Sequence, residues 1–97
     1  MNVTVARIYL AESAGVHERI FRRLHDEERV HGVTVFRAIA GFGPSGHVHT
    51  SGLLDLSLDL PIVVEFFDDP ARVREVLDRL ADLVGPGHVL TFPAQLD

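Results

Sequence analysis

The chain contains no cysteine and no lysine; all nine of its basic residues are arginine. Without cysteine there is no disulfide, no thiolate nucleophile and no Cys-ligated zinc or iron–sulfur cluster. Without lysine, Schiff-base catalysis and a P-loop phosphate clamp are both excluded. Positive charge is short overall: nine arginines against fourteen acidic residues leave a formal net charge of −5. That is the wrong sign for a duplex-DNA or anionic-membrane surface, so no nucleic-acid partner is expected. No apolar run approaches the ~20 residues needed to span a bilayer, and no charged-then-apolar leader opens the sequence. What is present, 46% hydrophobic and 24% charged residues over 97 positions, predicts one folded domain over 1–97. A soluble, cytoplasmic protein is the expectation.

Four segments read as strands and two as helices. Val3 to Leu10 and Val33 to Ala40 are rich in β-branched residues, which fit a pleated surface. Between them, Ser13 is placed to cap a helix running to about His31, with Gly32 as its stop. Val16, Ile20 and Leu24 fall on one stripe of that helix, and Arg19, Arg22, Arg23, Asp26, Glu27 and Glu28 on the other. Leu60 to Phe67 reads as a third strand. Asp69 followed by Pro70 predicts an N-cap carboxylate and a proline at the first helical position. The helix that follows buries Val73, Val76, Leu77, Leu80, Leu83 and Val84 at helical spacing, and Gly85-Pro86-Gly87 stops it. His88 to Pro93 is a short fourth strand.

The order β-α-β-β-α-β is the ferredoxin-like arrangement, an α+β fold with a four-stranded antiparallel sheet and two helices on one face. Alternation divides the strand residues into two sets. One is Ala6, Ile8, Leu10, Phe36, Ala38, Ile62, Val64 and Phe66. The other is Val3, Val5, Arg7, Tyr9, Val33, Val35, Arg37, Ile39, Val63, Glu65 and Phe67. Both are mainly apolar, yet the helices cover only one. The uncovered set is larger than a monomer ordinarily exposes, which predicts a symmetric homo-oligomer joined through the open faces. Arg7, Arg37 and Glu65 are expected to pair on that face.

The segment Gly41-Phe42-Gly43-Pro44-Ser45-Gly46-His47-Val48-His49-Thr50 leaves the second strand. Glycines there leave backbone N–H groups unobstructed, and such groups can form an anion-binding nest. Several stretches of the chain are similar to the domain-of-unknown-function 190 family, which is grouped with the PII-like signalling proteins. They are Arg7-x-Tyr9-Leu10, Gly32-Val33-Thr34-Val35-Phe36-Arg37, Gly41-Phe42-Gly43, His49-Thr50, Leu56-Ser57-x-Asp59-Leu60-Pro61 and Glu65. The resemblance covers nearly the whole chain and implies a PII-like homotrimer with ligand clefts between subunits. It implies that Gly41, Phe42, Gly43 and Ser45 form one wall, and Gly85, Gly87 and His88 of a neighbour the other. It further implies a small-molecule effector of the adenine-nucleotide type. Segment 41–59 would correspond to the mobile loop through which PII proteins engage partners. Its Leu53, Leu54, Leu56 and Leu58 would face a neighbour or that partner, for which the family's association with fluoride channels points to a membrane transporter.

Two departures qualify the ligand. PII proteins carry a Gln-Lys pair after the glycine turn and a Gly-Asp-Gly-Lys turn later; this chain has Pro44-Ser45 and Gly85-Pro86-Gly87-His88. Two missing cations remove charge-assisted hydrogen bonds worth roughly 1.5–3 kcal/mol each. A ligand with fewer phosphates than ATP, or an anion held by N–H groups and arginine, fits better.

His47 and His49 form a His-x-His pair, half of a zinc site, and a metal-tolerance trimer is the rival reading; a ligand-free structural trimer is a third. Ser45, Ser51 and Ser57 accompany these histidines without a nucleophile elbow, so no enzyme is expected.

Overall fold

A computed structural model describes residues 1–42, 49–50 and 60–97. Strand β1 (Asn2–Ala11) leads through a 3-10 turn (Glu12–Ala14) into helix α1 (Val16–Arg22), which continues as a π-helical turn (Arg23–Glu28). Strands β2 (Gly32–Arg37), β3 (Ala40–Gly41), β4 (His49–Thr50) and β5 (Pro61–Asp68) follow, then helix α2 (Pro70–Arg79) and strand β6 (Val89–Gln95). The main sheet has the order β2-β5-β1-β6, with every neighbour antiparallel. The α+β ferredoxin-like arrangement is therefore present. Beyond the expected four strands, β3 and β4 pair as a separate two-stranded ribbon.

The core lies between sheet and helices. Ala6, Ile8, Ile62, Val64 and Phe66 point from the sheet, and Ile20, Leu24, Val73, Val76 and Leu80 meet them from the helices. Val73, Val76 and Leu80 come from the stripe that the sequence predicts. Pro70 opens α2 as expected, at a position whose N–H has no intrahelical acceptor. Asp69 does not cap it, for its side chain makes no capping bond. Asp68 bonds just ahead of the helix: its Oδ1 accepts the Asp69 N–H at 2.7 Å and its Oδ2 the His31 N–H at 3.0 Å. One carboxylate thus joins the entry of β2 to the start of α2.

The first helix differs from the expected run of Ser13 to His31. Ser13 lies inside the 3-10 turn, and Gly15, in the left-handed region at φ 69°, precedes α1. Arg29 is also left-handed, at φ 52°, and the Val30 N–H reaches back to the Leu24 carbonyl at 3.2 Å. A left-handed residue closes a helix and satisfies its last carbonyls, so the helical run ends short of His31. The second helix stops at Arg79 rather than at Gly85. Turns replace it, with Leu83 and Val84 donating to the Leu80 carbonyl at 2.8 and 3.1 Å. Both residues still pack against the core, so the apolar spacing outlasts the helix.

Strand β2 has the opposite phase from that expected. Its register on β5 pairs Gly32 with Phe67, Val33 with Phe66, Val35 with Val64 and Arg37 with Ile62. Val33, Val35 and Arg37 therefore lie on the helix side, while Thr34 and Phe36 share the open face with Glu65 and Val63. The close approach at Gly32 is the reason. A Cβ on Gly32 would stand 2.6 Å from the Phe67 ring, so any other residue opposite Phe67 must displace that ring. A one-residue slip would bring Val33 there and reverse every side chain of the strand.

Candidate functional site

The open face of the sheet carries Val5, Arg7 and Tyr9 from β1, Val63, Glu65 and Phe67 from β5, Thr34 and Phe36 from β2, and Leu90 and Phe92 from β6. Phe36 is 50% and Leu90 49% exposed. Directly opposite one another across two central strands, Arg7 and Glu65 pair as expected, Nε donating to Oε1 at 2.8 Å. The Arg7 guanidinium also lies 5.1 Å from the Phe92 ring centroid, a cation–π geometry. The Glu65 hydrogen bond raises the pKa of Arg7 still further. Arg37 does not join them. Because β2 is in the other phase, its guanidinium bonds the Glu12 carboxylate instead.

The residues expected to hold a ligand fall into two groups. Gly41 and Phe42 follow β2, and an added Cβ on Gly41 would lie 3.1 Å from Pro61, the first residue of β5. Gly85, Gly87 and His88 form the turn before β6. Gly87 has φ 81°, a conformation that side chains with a Cβ rarely adopt. His88 is tied to the end of β1: the Tyr9 N–H donates to the His88 carbonyl at 2.9 Å, and His88 Nδ1 lies 3.1 Å from the Tyr9 carbonyl.

Both groups therefore sit at the same end of the sheet, but at its opposite edges. β5 and β1 lie between β2 and β6, so three strand spacings, about 14 Å, separate the two edge strands that these groups follow and precede. One chain does not bring them together. Large apolar side chains stand exposed beside each group: Phe36, Ile39 and Phe42 at one edge, Val89 and Leu90 at the other. Gly43, Ser45 and His47 lie outside the described residues, as do Leu53, Leu54, Leu56 and Leu58. His49 belongs to β4, and its side chain is likewise outside them. Among the described residues no group of three or more His, Cys, Asp or Glu side chains could hold a metal ion.

Shallow grooves open on the surface of the described residues, two of them beside the first helix. One is lined by His25, Asp26, Arg29, His31 and Gly32, the other by His17, Phe21 and Val35. Neither includes a residue of the expected binding set. In the first groove, His25 pairs with Asp26 at 2.7 Å, and the His31 ring packs against Phe67 at a centroid distance of 5.3 Å.

Sequence reasoning missed a further polar cluster. Glu28, only 7% exposed, receives Arg79 Nε at 2.8 Å and Nη2 at 2.7 Å, and Arg72 bonds its backbone carbonyl. These hydrogen bonds from Arg79 hold the Glu28 carboxyl below the usual glutamate range. Nearby, Arg23 grips Asp82 at 3.0 and 3.2 Å and the Arg79 carbonyl at 2.7 Å. The two helices are clamped along their outer edge. Charge spacing along one helix gives no sign of partners fifty residues away.

Residues 3–96 match the family DUF190, described as "Uncharacterized ACR". The chain belongs to the DUF190 family. Two UPF0166 proteins of Aquifex aeolicus (strain VF5) are similar to it. One is 37% identical over 54 residues, 56% of this chain and 51% of the relative. The other is 29% identical over 77 residues, 79% of this chain and 78% of the relative. The chain thus spans about half the length of the first of these and most of the second. Among solved structures, CPII from Thiomonas intermedia K12, bound to ADP and bicarbonate, superposes with a TM-score of 0.69 at 21% identity, covering 99% of this chain and 89% of that one. A divalent cation tolerance protein, CutA1, from Thermus thermophilus gives 0.67 at 14% identity, covering 98% and 86%. At these identities the DUF190 chain shares a fold with PII-like and CutA proteins. No helix among the described residues is long and apolar enough to cross a membrane.

Proposed function

We propose that this DUF190 protein is a non-enzymatic, PII-like regulator that assembles as a homotrimer and binds a small anion, an adenine nucleotide, between subunits. The observation that carries this reading is the placement of the two glycine-bearing groups. Gly41 lies beside Pro61 at the start of β5, and His88 is bonded to Tyr9 near the end of β1, on the β6 side of the same sheet end. A ring of chains in which the β2 edge of one copy approaches the β6 edge of the next completes a cleft that one copy lacks. The apolar side chains exposed at both edges and on the open face support that packing, since burying them is favourable by about 25 cal/mol per Å². Recognition of ADP by CPII, which shares the fold, supports the ligand class. The segment from Gly41 to Asp59 would engage the regulated protein, a membrane transporter on the family resemblance.

Calorimetric titration with ADP and with zinc tests the reading. Saturable heat with ADP, one site per chain, is expected, and Gly41→Val should weaken it, because a Cβ there comes within 3.1 Å of Pro61 and one of the two must shift. Zinc heat in the absence of ADP heat would favour the metal-tolerance alternative. Silence with both would leave a trimer without a ligand.

A further inference from the structure

We propose that Arg7 of one copy bonds the Glu65 carboxylate of the next, so that the open sheet face selects a second copy of this chain over any purely apolar surface. The inference rests on the assembly proposed above. Its basis is how little of the Arg7–Glu65 pair is used within one chain. Arg7 Nε donates to Glu65 Oε1 at 2.8 Å, and the guanidinium also meets the Tyr9 phenol and the Phe92 ring. Among the described residues Glu65 Oε2 accepts no hydrogen bond, and terminal N–H groups of Arg7 are left without a carboxylate. The same two residue types saturate each other elsewhere: Arg79 holds both oxygens of Glu28 through Nε and Nη2. A guanidinium and a carboxylate match as such a fork, so the pair on the open face has half of its fork free.

Water serves those free groups in one chain, where both side chains are partly exposed. Covering the face removes that water. The pair stands on the two central strands of the sheet, ringed by Tyr9, Phe36, Val63, Leu90 and Phe92. A purely apolar surface laid over it would strand a carboxylate oxygen and charged N–H groups without partners, which opposes association. A surface fits only if it carries an acceptor and a donor side by side in an apolar ground. The open face of a second copy is such a surface. Arg7 of each copy then donates to Glu65 Oε2 of the next, and this head-to-tail contact closes into a ring of alternating charges. The pair thereby fixes both the kind of partner and the register in which the faces meet, the role in which buried ion pairs are best attested.

The test mixes wild type with the double variant Arg7→Glu/Glu65→Arg, one of them isotope-labelled. After joint unfolding and refolding, native mass spectrometry reads the composition of the assemblies. Each protein should assemble with itself, since the double variant reverses both charges of every contact. Mixed rings should be absent, because a contact between the two proteins sets arginine against arginine or glutamate against glutamate. Mixed rings in the proportions of random assortment would show that each pair closes within its own chain, overturning the proposal while the assembly stands. A double variant that folds but remains as single chains would overturn it too. Should that variant not fold, Glu65→Gln takes its place: the dissociation constant of the assembly should rise on the order of a hundredfold, and an unchanged constant overturns the proposal. Wild type that stays as single chains overturns the proposed assembly, and this inference with it.

Discussion

Val63→Asp should convert the assembly to single chains and remove ADP binding while leaving the fold in place. Val63 stands on the open face at the centre of the sheet, between Phe36 of β2 and Tyr9 of β1. Val63 is half-buried in one chain, and an aspartate there still reaches water. Enclosed between three sheets it would be a carboxylate without a partner, because Arg7 is already committed to Glu65. Desolvating an unpaired charge costs several kcal/mol, and the open-face packing repeats that cost in every copy. Circular dichroism should be unchanged, the mass in solution should drop to that of one chain, and ADP heat should vanish together with the cleft. An unchanged mass would mean that the open faces do not meet.

Glu28→Gln should lower stability by about 1.5 kcal/mol, below the 3–5 kcal/mol for breaking a fully buried pair, because Arg79 is half exposed and solvent screens it. For a domain of this size that corresponds to a fall of about 6–12 °C in the melting temperature, compared at equal chain concentration because association also raises Tm. The pH dependence has a definite sign. Arg79 lowers the pKa of Glu28 in the folded state relative to the unfolded chain. The stabilisation is therefore complete above the ordinary glutamate range and disappears as pH falls through the depressed folded-state value. The difference in Tm between wild type and Glu28→Gln should accordingly shrink from pH 6 towards pH 3. A constant difference would show that packing, not charge, holds this corner.

Much of the architecture was legible because periodicity and punctuation agree. Pro70 and the apolar spacing from Val73 define α2, and strands β1 and β5 stand out by their β-branched residues. The Arg7–Glu65 pair was legible too, because both strands keep strict alternation. Strand β2 was not, since Val33, Val35 and Phe36 are all apolar and either face could be the buried one. What decides its phase is the Phe67 ring over Gly32, a contact across the sheet between residues thirty-five positions apart in the sequence. The shortened helices follow the same logic. Left-handed Arg29 and the turns after Arg79 answer to tertiary packing, whereas propensity alone would have continued both helices.

The candidate site was legible only in halves. Glycine spacing and family resemblance singled out Gly41, Phe42, Gly85, Gly87 and His88, and the strand order places them at one end of the sheet. Their separation across two intervening strands, and the bond that orients His88 on Tyr9, depend on sheet register. No local pattern carries that information. The polar links missed at Asp68 and Glu28 share this origin, joining segments that meet only after the chain has folded.

Sedimentation equilibrium of the unmodified protein at micromolar concentration bears most directly on whether its clefts exist. Three times the 10.7 kDa chain mass is the expected result. A particle of one chain mass across that concentration range would contradict it, since the two halves of the site would then never meet.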